Sequence, residues 1–313
     1  MLEQDGDDPE LDGILCAAVA RFQADLARTG SIAERVHALV RRTPGTAPQP
    51  AQALRDPRSF PVMQMPVWLS RTLSGSLDRD FHVDVACSSL NAYYFIRLVD
   101  NVMDADGPAD LRRLLPAAAV FHARFQLLYQ RHFPAGHPFW DDFERWWSRA
   151  AVATVEDAFL ESVDVERFVS VSGLKFSAAA VPLAAAAHAG GRPDLAPAWV
   201  PLVDRLGAWY QMLNDLLDWH HDSRHGIRTW FLSEFTRRGA PDESLPAWVA
   251  REGFDRAVVL LESWMAELVA GPAVLRAPAL ERFLADRRAL FRRQVAEARD
   301  GLRGMRVLLG AFA

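Results

Sequence analysis

The sequence predicts an all-α protein, a single large helical bundle, on three observations. Apolar residues recur at three- and four-residue spacing along most of the chain. Isoleucine is sparse and threonine is rare, and alternating apolar–polar runs bounded by turns are missing. Ligand sites in such bundles are built in the core from side chains on facing helices, so function is sought among their polar inward residues.

The elements follow in order. An amphipathic helix over about Asp12 to Arg41 leads into Arg42–Pro61, whose prolines forbid a continuous helix. Residues 1–57 are therefore expected to be a helix and loop packed on a main body, residues 58–313. Within that body, breaks are expected at Gly107-Pro108, Pro134 to Pro138, Gly190 to Pro193, Pro197 to Pro201 and Gly239 to Pro241. Phe283, Leu284, Phe291, Val295, Leu302, Met305 and Leu309 predict a long C-terminal helix with its arginines toward water.

Composition narrows the function. The chain has 313 residues, half of them apolar and 24% charged, with 35 basic against 40 acidic groups and a net charge of −5. That balance is globular and carries no electrostatic footprint for nucleic acid. Two cysteines, Cys16 and Cys87, make neither a disulfide framework nor a zinc site by themselves, which points to a reducing, cytoplasmic compartment. The acidic N-terminus lacks the order of a signal peptide. The most apolar stretch, Ala178 to Gly191, is short and interrupted, so no membrane span is expected. All the basic residues are arginine except Lys175.

Two acidic clusters stand out. In YYFIRLVDNVMDADG, Asp100 and Asp104 lie four apart on one helix face with Asn101 between them. Ile96, Tyr93 and Ser89 continue that face over the preceding turns. In GAWYQMLNDLLDWHHDSRHGIRTWF, Asn214, Asp218 and Asp222 are spaced four and four, with Asp215 beside the first and Gln211 one turn earlier. Gly226 then ends the helix and Arg228 follows. Rows of carboxylate and amide oxygens suit a hard divalent cation such as Mg²⁺, which commonly shares one or two carboxylates with a substrate phosphate. His220 and His221 have no histidine or cysteine at ligand spacing, which argues against zinc. Either cluster alone is more often a solvated helix face than a metal site; the pair on two aromatic-rich helices is the stronger signal.

These residues resemble the class I isoprenoid synthases, an all-α superfamily of prenyl diphosphate synthases, squalene and phytoene synthases, and terpene synthases. The resemblance runs over roughly Arg58 to Phe231. The first cluster is similar to the aspartate-rich motif, with Asn101 in place of a second Asp, and Arg97 resembles squalene and phytoene synthases. Asn214-Asp215-x-x-Asp218 resembles the second aspartate-rich motif, while Asn214, Asp218 and Asp222 also match the spacing of the terpene-synthase metal triad. Gly173-Leu174-Lys175 resembles the start of a kinked helix that carries a diphosphate-binding lysine, broken here at Pro182. Departures include the absence of a Gly-Lys-Arg stretch near the N-terminus and of the C-terminal Arg-Tyr pair.

The resemblance implies a central apolar active-site cavity and two or three Mg²⁺ ions held by Asp100, Asn101 and Asp104 on one side and Asn214, Asp215, Asp218 and Asp222 on the other. It implies diphosphate contacts from Arg97, Lys175, Arg228 and Gln211, and a prenyl cavity lined by Ser89, Tyr93, Ile96, Phe176 and Tyr210. Lys175 fits that role because a compact ammonium donates as a point charge where a guanidinium fork does not fit. The expected activity is that of a terpene synthase, a lyase that ionises one prenyl diphosphate and cyclises or rearranges the cation. A prenyltransferase condensing two prenyl diphosphates, and a non-catalytic prenyl-diphosphate-binding subunit, are the alternatives. Homodimers are common in that superfamily.

Overall fold

Asp8 begins the first helix by accepting from the Leu11 amide at 3.1 Å, and Pro9 takes the first helical position, where a missing N–H costs nothing. The helix that follows, α1 (Pro9–Ala27), buries Leu11, Ile14, Leu15, Ala18, Phe22 and Leu26 along one stripe. It stops before the expected Arg41. The Thr29 hydroxyl donates to the Leu26 carbonyl at 2.6 Å, and Gly30 adopts a left-handed φ of +60°. The computed structural model describes residues 8–30, 32, 34–35, 54–103, 111–271, 275 and 277–311, the side chains of 111 and 303–311 excepted. Most of the proline-rich stretch, and the break at Gly107-Pro108, lie outside the described residues.

Further helices are α2 (Gln64–Ser74), α3 (Arg79–Met103), α4 (Leu115–Tyr129), α5 (Phe139–Ala158), α6 (Val165–Ser170) and α7 (Ala180–Ala189). After them come α8 (Ala196–His225), α9 (Trp230–Arg238), α10 (Leu245–Trp248), α11 (Phe254–Ala270) and α12 (Pro278–Ala311). Short 3-10 segments cover Leu111–Leu114, Ser172–Ala179 and Pro193–Leu195. Among the described residues there is no strand, and the protein is all-α. The stretch Val165–Ala189 is long and apolar enough to cross a membrane by length and composition, but 67% of its apolar window is buried within the protein. The chain divides into two compact units, one within Met1–Phe143 plus Pro182–Ala196 and the other within Glu144–Val181 plus Pro197–Ala313.

In the first unit, α1, α3 and α4 share a core of Ile14, Leu15, Phe22, Met63, Val67, Cys87, Leu90, Leu98 and Phe121. Each large apolar side chain removed from water contributes roughly 1.5–3 kcal/mol. One charge is buried there deliberately. Asp84 on α3 is bridged by Arg21 of α1, by Arg131 at 3.2 Å and by His132 at 2.9 Å. These partners tie α1 and the end of α4 to α3.

The core of the second unit is aromatic: Trp199, Trp209, Phe231, Trp248, Trp264 and Phe291 are all buried. The Trp209 indole donates to the Leu261 carbonyl at 3.0 Å, joining α8 to α11, and the Arg287 guanidinium of α12 lies 4.6 Å over the Trp209 ring. The expected break at Pro197 to Pro201 is not there; α8 runs through it. Pro197 falls in the first turn, where amides have no intrahelical acceptor, so only Pro201 removes a ladder bond. The expected breaks at Pro134 to Pro138, Gly190 to Pro193 and Gly239 to Pro241 do fall between helices. Gly226, with φ +68°, ends α8, and the Ile227 amide returns to the Asp222 carbonyl at 3.0 Å.

Candidate functional site

An α-helix advances about 100° per residue, so side chains seven apart nearly eclipse, while side chains eight apart have drifted by about 80°. The four-and-four row of Asn214, Asp218 and Asp222 therefore fans across about 80° of the helix surface, and Asp215 lies beside Asp222. In the structure Asp215 and Asp222, seven apart, turn inward at 3% and 8% exposure, whereas Asn214 and Asp218 are exposed. Gln211 sits one turn before Asp215 and donates to its Oδ1 at 3.2 Å.

Lys175 stands near this buried row because the backbone beneath it is bare. A Cβ added at Gly173 would come within 2.8 Å of the Ala208 Cβ, and one at Gly207 within 2.5 Å of the Phe176 Cβ. Only glycine at both positions lets the 3-10 segment Ser172–Ala179 lie this close to α8. Lys175 is thus on a 3-10 segment, and α7 then continues through Pro182, which falls in its first turn. The segment is pinned at both ends. Ser172 donates to Asp157 Oδ1 at the end of α5, and Ser177 reaches Asp204 at 3.4 Å, where Arg149 also binds at 2.8 Å. Between these pins, Lys175 Nζ donates to Asp157 Oδ2 at 2.7 Å.

Burial pushes the Asp215 carboxyl up to about 7; Lys175 and the Gln211 hydrogen bond oppose the shift, while Asp222 and Asp157 add to it. The charged groups that act on Asp215 are one ammonium and two carboxylates. The side-chain acceptors here are all oxygen, the donor type a hard divalent cation takes. Among the described residues, no group of three or more His, Cys, Asp or Glu side chains is drawn together tightly enough to hold a metal ion.

The other expected residues of the second unit lie elsewhere. Tyr210 is buried against Trp209, ring centroids 5.2 Å apart, and under Arg287 at 5.3 Å. Phe176 packs over Gly207. Arg228 is exposed and donates to the Glu161 carbonyl at 3.2 Å.

In the first unit, α3 presents Tyr93 and Ile96 at 40% and 41% exposure, with Ser89 buried one turn before them and donating to the Val85 carbonyl at 2.9 Å. Arg97 is paired with Asp100 at 3.0 Å, and Asn101 is half-buried. Asp104 lies outside the described residues. An aromatic and aliphatic stripe thus leads along α3 to Asp100.

Two features of the structure have no counterpart in the sequence reading. Asp157 was not singled out, because it lies 58 residues before Asp215 in no recognisable spacing; only the fold brings it to Lys175. The second is a cleft of about 320 Å³ in the first unit, lined by His82, His132, His137, His188, Asp78 and three serines among others. Its histidines are spread over 106 residues, so no spacing rule could group them. Burial pushes His82 down to about 4, and burial likewise lowers His132, whose Nε2 donates to the Asp84 carboxylate. His188 meets Asp142 at 2.9 Å.

Comparison with models of known protein families and with curated proteins finds no match to this chain.

Proposed function

We propose that the chain is a Mg²⁺-dependent class I terpene synthase, which ionises an allylic prenyl diphosphate and cyclises or rearranges the resulting cation within an apolar cavity. One observation carries the reading: two carboxylates of α8, Asp215 and Asp222, are buried, and the chain's single lysine, itself held by Asp157, acts on Asp215. Buried carboxylates within the field of an ammonium suit a cation and a diphosphate bound side by side.

Asp215 and Asp222 would hold Mg²⁺ from α8, with Gln211 orienting Asp215. When bound, Mg²⁺ supplies Lewis-acid stabilisation of the departing diphosphate. Lys175 neutralises diphosphate oxygens as charge builds on them, and such stabilisation accelerates ionisation only to the extent that it is stronger in the transition state. Asn214 and Asp218, on the exposed flank of the same helix, are placed to close on a ligand entering from solvent.

The test is incubation with Mg²⁺ and single labelled diphosphates of C10 to C20 length. Release of pyrophosphate with a hydrocarbon or alcohol of unchanged carbon number is the expected result. A doubled skeleton would assign head-to-head condensation instead, and no pyrophosphate from any of them would end the enzymatic reading.

A further inference from the structure

We propose that Asp157, with Ser172, is a positioning residue that sets the Lys175 ammonium for anion binding; this rests on the function proposed above. The α5 carboxylate divides its two oxygens between the two residues. Oδ1 takes the Ser172 hydroxyl and Oδ2 takes Lys175 Nζ at 2.7 Å. Ser172 is 4% exposed and holds the carboxylate, and the carboxylate in turn holds the ammonium. A lysine side chain has four rotatable bonds and much rotamer entropy, and it gives a defined point charge only when something orders it.

The surroundings fit a ligand-facing role better than a buried strut. Lys175 and Asp157 keep 24% and 21% of their side-chain surface in solvent, so an anion can reach Nζ without unfolding the segment. The backbone that carries the lysine is held from both sides, by the glycine notch on α8 and by Ser177 on Asp204, and Asp157 holds the side chain. The same ammonium acts through space on Asp215. Asp157 thus fixes the distance between the cation-binding row and the anion-binding charge.

Lys175 is the chain's sole lysine, so amine-selective acylation reports on it directly, with the N-terminal amine as an internal reference. The rate is read by mass spectrometry of the peptide containing residue 175 across pH 7 to 10. Loss of a neighbouring carboxylate lowers an ammonium's pKa by one unit or more, so Asp157→Asn should label about tenfold faster at a given pH. Asp157→Glu should restore slow labelling, and Ser172→Ala should fall between. Inorganic pyrophosphate with Mg²⁺ should protect Lys175 at least fivefold in the wild type and much less in Asp157→Asn.

Equal labelling of wild type and Asp157→Asn overturns the proposal, as does a wild-type Lys175 that pyrophosphate fails to protect. If Asp157→Asn does not fold by circular dichroism, Ser172→Ala and the wild-type protection measurement decide in its place. Failure of the synthase reading has a different signature: pyrophosphate protects Lys175 and Asp157 governs its reactivity, yet no prenyl diphosphate is turned over. Conversely, turnover in the wild type with kcat and KM unchanged in Asp157→Asn keeps the synthase and removes Asp157 from it.

Discussion

Asp84 on α3 and Asp215 on α8 are both nearly out of water, at 5% and 3% exposure, yet their charges meet opposite surroundings. Around Asp84 the first unit gathers two guanidiniums and an imidazole from other parts of the chain. Around Asp215 the second unit places one amide, one ammonium already bonded to Asp157, and two further carboxylates. A buried charge with full pairing stabilises the fold around it; one left short is costly unless something else arrives to meet it. The first is a clamp. The second has the composition of a binding site, which is why the functional reading rests on α8 and not on the more heavily bonded Asp84.

The largest expected effect would break the clamp. Asp84→Ala leaves Arg21 and His132 without their acceptor and should lower unfolding free energy by about 3 kcal/mol, less than a fully buried pair would because Arg131 is half in water. Urea denaturation measures it, and a change under 1 kcal/mol would make the two aspartates equivalent. Asp215→Asn should do the reverse. At pH 4, where the wild-type carboxyl is protonated, stability stays within about 1 kcal/mol because the amide mimics the acid, while turnover of the preferred prenyl diphosphate falls about a hundredfold or more. Gly207→Ala comes next. Its methyl group would collide with Phe176, so a loss of about 1–3 kcal/mol in thermal melts is expected, with weaker protection of Lys175 by pyrophosphate.

Acidity sharpens the same contrast, because the two units respond with opposite sign. The folded pKa of Asp215, about 7, lies above the ordinary value of 3.8, so the folded state holds its proton where the unfolded chain has lost it. Stability from this group is greatest below about 3.8, falls as pH rises toward 7, and is flat beyond, at about 1.4 kcal/mol per pH unit as an upper limit. His82 is lowered to about 4 from 6.5, so the unfolded chain takes up a proton that the folded one refuses. Its contribution is present above 6.5 and is lost as pH falls toward 4. Melting in metal-free buffer from pH 4 to 8 should show Asp215→Asn gaining on the wild type up to neutrality, and His82→Gln gaining on it below 6.5. Parallel curves for either variant would refute its assigned shift. The smallest effect belongs to Asn214→Ala: an exposed side chain should leave the melt within 0.5 kcal/mol, while turnover drops if the flank of α8 closes on ligand, and an unchanged rate would confine the site to Asp215 and Asp222.

Local chemistry was readable from the chain. The three- and four-residue spacing located α12 and the start of α1, and Gly226 and the Gly239–Pro241 turn end helices where expected. Rules that depend on position within an element read less well: prolines 182, 197 and 201 all suggest breaks, yet the first two sit in helix first turns and the third is absorbed. The acidic row shows the limit most clearly. Counting in fours selects Asn214, Asp218 and Asp222, but a helix repeats at 3.6, so the face that goes inward is Asp215 and Asp222. Asp157, Asp84 with its partners and the histidine-lined cleft were invisible in principle, because each is an encounter between distant segments.

Gly173 and Gly207 are the two places on α8 and its neighbour where nothing may be added. Acidic residues can be exchanged among Asp, Asn and Glu and still bind oxygen-loving ions, but a notch of this depth admits one amino acid. Drift in related chains should therefore spare the pattern Gly-x-Lys, followed 32 residues after that lysine by Gly-x-x-x-Gln-x-x-x-Asp, more strictly than any carboxylate in it. For this architecture, the absence of a side chain is the more durable signature.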